Sequence, residues 1–159
     1  MSDGLQGVVE KINALPIHET VRDVLWVVPA FQSTHIIAVG IVFFGSLIIA
    51  LRAMGLAGTY WTLERWHGRL SGWTAGALVA LLASGLVLVL AEPERELLNS
   101  LFQIKMALVI ATALLSYGIA RRFEKNAATV SFGVRLGAIL IFLLWAVIMG
   151  LGRWIAYAG

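Results

Sequence analysis

Residues 70–91 read LSGWTAGALVALLASGLVLVLA, from Leu70 to Ala91, without one charged side chain. As a helix rising 1.5 Å per residue this stretch is about 33 Å long, enough to cross a hydrocarbon core of about 30 Å. Three more stretches of the same kind surround it. Val24–Leu51 is uncharged, although it contains Pro29, Gln32, Ser33, Thr34 and His35. Leu97–Ala120 is interrupted only by Lys105, and Leu136–Ala158 only by Arg153. The apolar runs are continuous rather than alternating. Lipid offers the backbone no hydrogen bonds, so they are expected as helices and not as barrel strands. Short connections make sequential helices antiparallel. The predicted fold is all-α: an integral membrane, up-down four-helix bundle over residues 23–159, with spans at 24–51, 70–91, 97–120 and 136–158.

Composition agrees. Hydrophobic residues make up 60% of the 159 and charged residues 13%, about half the share usual in soluble domains. A soluble chain of this length could not hide so much apolar surface. The chain has no cysteine, which excludes disulfides, thiolate metal sites, iron–sulfur ligation and covalent c-type haem attachment.

Residues 1–22 precede the first span. Asp3 and Glu10 lie where a signal peptide would be basic, so the first span is expected to stay in the protein. Leu5, Val8, Val9, Ile12 and Leu15 recur at helical spacing opposite Gln6, Glu10, Lys11 and Asn13, and Pro16 closes the pattern. This predicts a short amphipathic N-terminal helix in the membrane interface, or docked on a partner subunit. Trp26, Trp61, Trp66, Trp154 and Tyr157 fall near the span ends, where amphipathic rings favour the interface.

The net charge of +3 is unevenly placed. Arg52, Arg65, Arg69, Arg121, Arg122, Lys125 and Arg135 lie after the first and third spans. Lys11, Arg22, Arg95 and Arg153 lie at the other end, diluted by Asp3, Glu10, Glu19, Asp23, Glu92, Glu94 and Glu96. Basic loops stay in the cytoplasm, so both termini and the acidic loop Glu92–Glu96 are expected outside. The charge therefore reports topology, and no nucleic-acid partner is expected. The bilayer itself is the first partner. Gly72 with Gly76, and Gly133 with Gly137, give small-xxx-small spacings that suit close helix approach, within the chain, between copies or with other membrane subunits. The same glycines are also ordinary in membrane helices.

Ionisable residues inside a span are expensive and point to function. On the helical rise Lys105 lies about 11 Å inside the outer end of its span, His35 about 14 Å below Trp26, and Arg153 about 8 Å inside its own end. Lys105 shares a helix side with Thr112 and Ser116, and His35 shares one with Gln32 and Ser46. Polar stripes turn into the bundle. An outward-facing pocket of Gln32, His35, Lys105 and Arg153 follows, suited to an electron-rich or anionic ligand such as haem b or a quinone. Each member also has a plainer role. Lys105 and Arg153 can snorkel to the interface, and His35 can cross-link two helices by a hydrogen bond. His67 suits a lipid-headgroup contact, and His18 a surface position from which it could also reach a shared ligand.

Ligand arithmetic narrows the metals. Three histidines exclude a self-contained pair of bis-histidine haems. One bis-histidine haem would pair His35 with His18, or borrow a ligand from another subunit. Copper can use histidine with methionine, but Met54, Met106 and Met149 form no cluster in the sequence. HExxH, phosphate-loop and EF-hand motifs are absent, which argues against a hydrolase.

With the spans placed, the chain resembles the membrane part of copper-resistance D (CopD) proteins and the HemJ-type protoporphyrinogen oxidases, and most closely a related uncharacterised bacterial four-helix family. The likeness runs through residues 31–40 (FQSTHIIAVG), 51–55 (LRAMG), 102–106 (FQIKM) and 152–157 (GRWIAY). In the HemJ-type family a histidine of the first helix and a lysine early in the third are the functional pair, which His35 and Lys105 match, and haem association is implied. The chain departs from that family at Ala50–Met54, where a proline and arginine-rich turn ending in histidine is usual, and at Ser116-Tyr117, where a histidine precedes the tyrosine. The resemblance implies a bacterial inner-membrane protein with a redox cofactor. A non-catalytic accessory subunit of a larger membrane complex and a copper-handling protein are the other classes expected.

Overall fold

In the computed structural model the described residues are 2–123 and 130–158, with side chains described for 4–123 and 130–155. Lys125 and the side chains of Asp3 and Tyr157 lie outside them. Among the described residues there are seven helices and no strand: α1 Ser2–Asn13, α2 Pro16–Asp23, α3 Val27–Met54, α4 Leu63–Ala91, α5 Pro93–Leu97, α6 Ser100–Phe123 and α7 Phe132–Ala158. Four of them, α3, α4, α6 and α7, are long and apolar enough to cross a membrane. The all-α bundle predicted from the sequence is the fold.

Local chemistry sets the boundaries. Pro29 sits in the first turn of α3, where its missing N–H would have had no partner in any case. Gly55 ends α3 in the left-handed region at φ 77°, where its N–H and that of Leu56 reach the carbonyls of Arg52 and Leu51 at 3.1 and 3.0 Å. A Cβ would make that conformation costly, so glycine belongs there. α4 starts at Leu63, earlier than the charge-free segment, because Thr62 caps it by accepting the Arg65 N–H at 3.2 Å. A helix need not stop where the hydrocarbon does. α4 ends just before Pro93, which opens α5, so the expected acidic loop is one short helix.

α3 and α7 form the spine of the bundle. α4 packs on α3, α6 packs on α7, and α4 and α6 touch only sparingly. The result is two helical hairpins joined through the α3–α7 contact. Two apolar clusters fill the interior. Ala38, Val42, Ala77, Trp145 and Ile148 lie mid-bundle. Ala53, Leu63, Ile119, Phe123, Val134 and Ala138 lie toward the arginine-rich end.

The N-terminal segment differs from expectation in two ways. Pro16 does not close the amphipathic helix; α1 ends at Asn13 and Pro16 occupies the first turn of α2, where proline is welcome. The segment also docks on its own chain, with α1 against α5 and α2 against α4. Val9 is buried there, and Asn13 donates to Glu94 at 3.4 Å.

The two glycine pairs part company. Gly137 faces α6, where a Cβ would lie 2.8 Å from Ile119 Cγ1; this glycine lets α6 and α7 close. Gly72 and Gly76 serve no helix contact within the chain, because a Cβ at either position would meet nothing within 4 Å. Replacing Gly137 with leucine should therefore destabilise the bundle by about 1–3 kcal/mol, the usual cost of overpacking. Gly72→Ala and Gly76→Ala should leave the unfolding transition in detergent unchanged, and equal effects at all three positions would contradict this packing.

Candidate cofactor site

His35 lies in α3 about 12 Å from its first residue, and Lys105 lies in α6 about 8 Å from its own first residue, both on the side of the acidic α5. Both are half-buried. His35 rests on the α3–α4 hairpin. Its Nδ1 is 2.8 Å from Ser84 Oγ, and Ser84 in turn donates to the Ala80 carbonyl at 2.6 Å. A carbonyl can only accept, so the single hydroxyl hydrogen of Ser84 is committed to Ala80. The imidazole Nδ1–H must then be the donor in the pair. In the neutral ring the lone pair is therefore on Nε2. Ser84 is 1% exposed, so the anchoring bond is shielded from solvent. Gly85 lies against the ring, whose Cε1 is 3.6 Å from where a Cβ would stand, an ordinary packing distance. Nε2 has no partner among the described residues. No fully buried side-chain nitrogen or oxygen lacks a partner there, so Nε2 opens onto accessible space.

Lys105 rests on the other hairpin. Its Nζ lies 5.3 Å from the centroid of the Phe102 ring and 3.9 Å from the position a Cβ would take on Gly152 of α7. The ammonium is within Coulombic range of both Glu96 and His35. Phe102 contributes a cation–π contact, and Gly152 packs beside the ammonium. Below Lys105, Thr112 is fully buried and Ser116 half-buried, each bonding the carbonyl four residues back. The polar stripe expected on this helix does turn inward. The structure thus sets an anchored imidazole with an open nitrogen and a cation on opposite hairpins of one bundle.

Of the remaining candidates, Gln32 and Arg153 are exposed, and His67 and His18 lie elsewhere. Gln32 is exposed on α3 and makes no hydrogen bond among the described residues. Arg153 is exposed on α7 beside Gly152. His67 is at the arginine-rich end, its ring 5.6 Å from that of Phe123 in an edge-on contact. His18 is not a surface residue. It is 8% exposed, and its Nδ1 lies 2.7 Å from the carbonyl oxygen of Leu90. That carbonyl is in the last turn of α4, where the helix ladder ends ahead of Pro93. His18 donates to it and caps the helix. The contacts of His18 and His35 with α4, at Leu90 and Ser84, are about 9 Å apart along the axis, so the two rings are not gathered around one point. Among the described residues no group of three or more His, Asp and Glu side chains could hold a metal ion.

Sequence reasoning missed two partners, Ser84 and the Leu90 carbonyl. The first had a signal: a lone hydroxyl followed by glycine in an otherwise apolar stretch. The second had a fainter one, the proline three residues on that ends the helix and strands its last carbonyls. No protein-family model matches the chain, and neither the curated proteins nor the solved structures give a match.

Truncating His18 to alanine should strand the Leu90 carbonyl, at a cost of about 1–3 kcal/mol. The α1–α2 segment should then be cut by protease well before the spans, and protease resistance equal to wild type would contradict the capping role.

Proposed function

We propose that this chain is a redox-associated membrane protein whose His35–Lys105 pocket holds haem b or a quinone. The observation that carries the reading is the Ser84 bond, which fixes the His35 tautomer and leaves the Nε2 lone pair free, with Lys105 within Coulombic range of the ring. Metal-ligating histidines characteristically donate their other ring N–H to such a partner. The same nitrogen is equally suited to accept a hydrogen bond from a quinol hydroxyl. Lys105 supplies positive charge for a haem propionate or a quinone carbonyl. Bound haem would supply one-electron chemistry at iron, and His35 would hold it through Nε2; His18 is engaged at the Leu90 carbonyl instead. The HemJ-type resemblance lends support, since its functional pair falls on these two positions.

We place the protein in a bacterial inner membrane with the arginine-rich end cytoplasmic, and both termini and the His35–Lys105 pocket on the periplasmic side. The charge asymmetry supports this orientation. Arg52, Arg65, Arg69, Arg121, Arg122 and Arg135 gather at one end of the bundle, and Glu92, Glu94 and Glu96 at the other.

Protein purified in mild detergent from its native membrane should show a Soret band with reducible α and β bands if haem is bound, or release a quinone into organic solvent if it is not. His35→Ala and Lys105→Ala should each lose most of that cofactor. If the ligand is haem, Ser84→Ala should weaken its binding about 10–100-fold. Full cofactor content in both the His35 and Lys105 variants, or no cofactor of either kind in the wild type, would sink the proposal.

A further inference from the structure

A groove of about 620 Å³ runs along the outside of the α3–α4 hairpin. Its floor is the small-residue face of α4, Gly68, Gly72, Gly76 and Ala80, and its walls include Ile37 of α3 and Trp73 of α4. Arg69 lines it at one end and Thr34 at the other. From Gly68 to Ala80 the floor is about 18 Å long, slightly more than half of a hydrocarbon core of about 30 Å. The groove therefore starts at headgroup level and covers the depth of one leaflet.

Its polarity is one-ended. Arg69 is exposed at the shallow end, its guanidinium 5.9 Å from the Trp61 ring that also carries Arg65 at 4.7 Å. At the deep end the Thr34 hydroxyl is committed to the Ala30 carbonyl at 2.9 Å, so no free donor remains there. A cation at the mouth of an apolar channel one leaflet deep is complementary to an anionic amphiphile. Ile37 and Trp73 line the channel and stand exposed, offering apolar surface to an acyl chain.

We propose that this groove holds one anionic phospholipid of the leaflet at the arginine-rich end, with its phosphate at Arg69 and an acyl chain along Gly72 and Gly76. The glycine stripe is then a lipid seat and not a dimer seam. The site is separate from the His35–Lys105 pocket, and its test does not depend on any cofactor.

Delipidated full-length protein in detergent, titrated with phosphatidylglycerol or phosphatidylcholine, should retain one phosphatidylglycerol per chain by native mass spectrometry, in preference to phosphatidylcholine. Arg69→Gln should reduce phosphatidylglycerol binding about fivefold and leave phosphatidylcholine unchanged, the factor expected for one basic residue at an anionic surface. Gly76→Leu, whose side chain grows into open space, should displace both lipids while the melting transition stays in place. The Arg69 variant alone keeps the test decisive if the leucine variant does not fold. Equal retention of the two lipids, lipid counts indifferent to both substitutions, or a wild-type homodimer broken by Gly76→Leu would overturn the assignment.

Discussion

A hydroxyl or peptide group in hydrocarbon has no water to fall back on, and the whole structure is organised by that deficit. Ser33, Thr34, Ser84, Thr112 and Ser116 each return their hydrogen to the carbonyl four residues earlier. Such bonds satisfy the donor and leave the oxygen with acceptor capacity. Among the described residues only at Ser84 does a second side chain use that capacity, and the side chain is His35. The His35–Ser84 contact is thus a by-product of the rule that also satisfies Ser33, Thr34, Thr112 and Ser116. The same deficit operates at helix ends, where His18 and Gly55 satisfy groups that the ladder leaves over.

This explains why the spans were legible in the sequence and their edges less so. Hydropathy registers where lipid is, whereas caps decide where a helix starts. Thr62 and Ser131 extend α4 and α7 beyond the apolar limits at Leu70 and Leu136, as the backbone N–H groups of Arg65 and Val134 turn to their hydroxyls. The amphipathic pattern of the N-terminal segment was readable too, but not what it would pack on, since an apolar stripe fits lipid, a partner or its own chain equally well. Pro16 looked like a stop because proline ends helices; it also begins them, and only the neighbouring structure decides which.

The candidate site was half visible. His35 and Lys105 announce themselves as ionisable groups in apolar surroundings, and helical rise alone puts them at similar depth. Ser84, which settles the state of the imidazole, lies 49 positions from His35 in sequence; such pairing is invisible without knowing which helix faces which. The two glycine pairs make the same point. Their spacing is identical, yet in one pair Gly137 is met by Ile119 and the other pair is open, because spacing fixes a face of a helix and not what lies against it.

The arginines at the crowded end are more than a surplus of charge. Arg52 donates through Nε to the Trp61 carbonyl at 2.6 Å, and Arg135 through Nε to the Ala53 carbonyl at 3.1 Å. The cations a membrane would count when a helix inserts are thus the same groups that rivet the turn after α3 and tie α7 to the end of α3. Lysine at these places would preserve the tally but exchange a flat, directional donor for a compact point charge. Insertion and assembly are written in the same side chains here, so editing the one text necessarily edits the other.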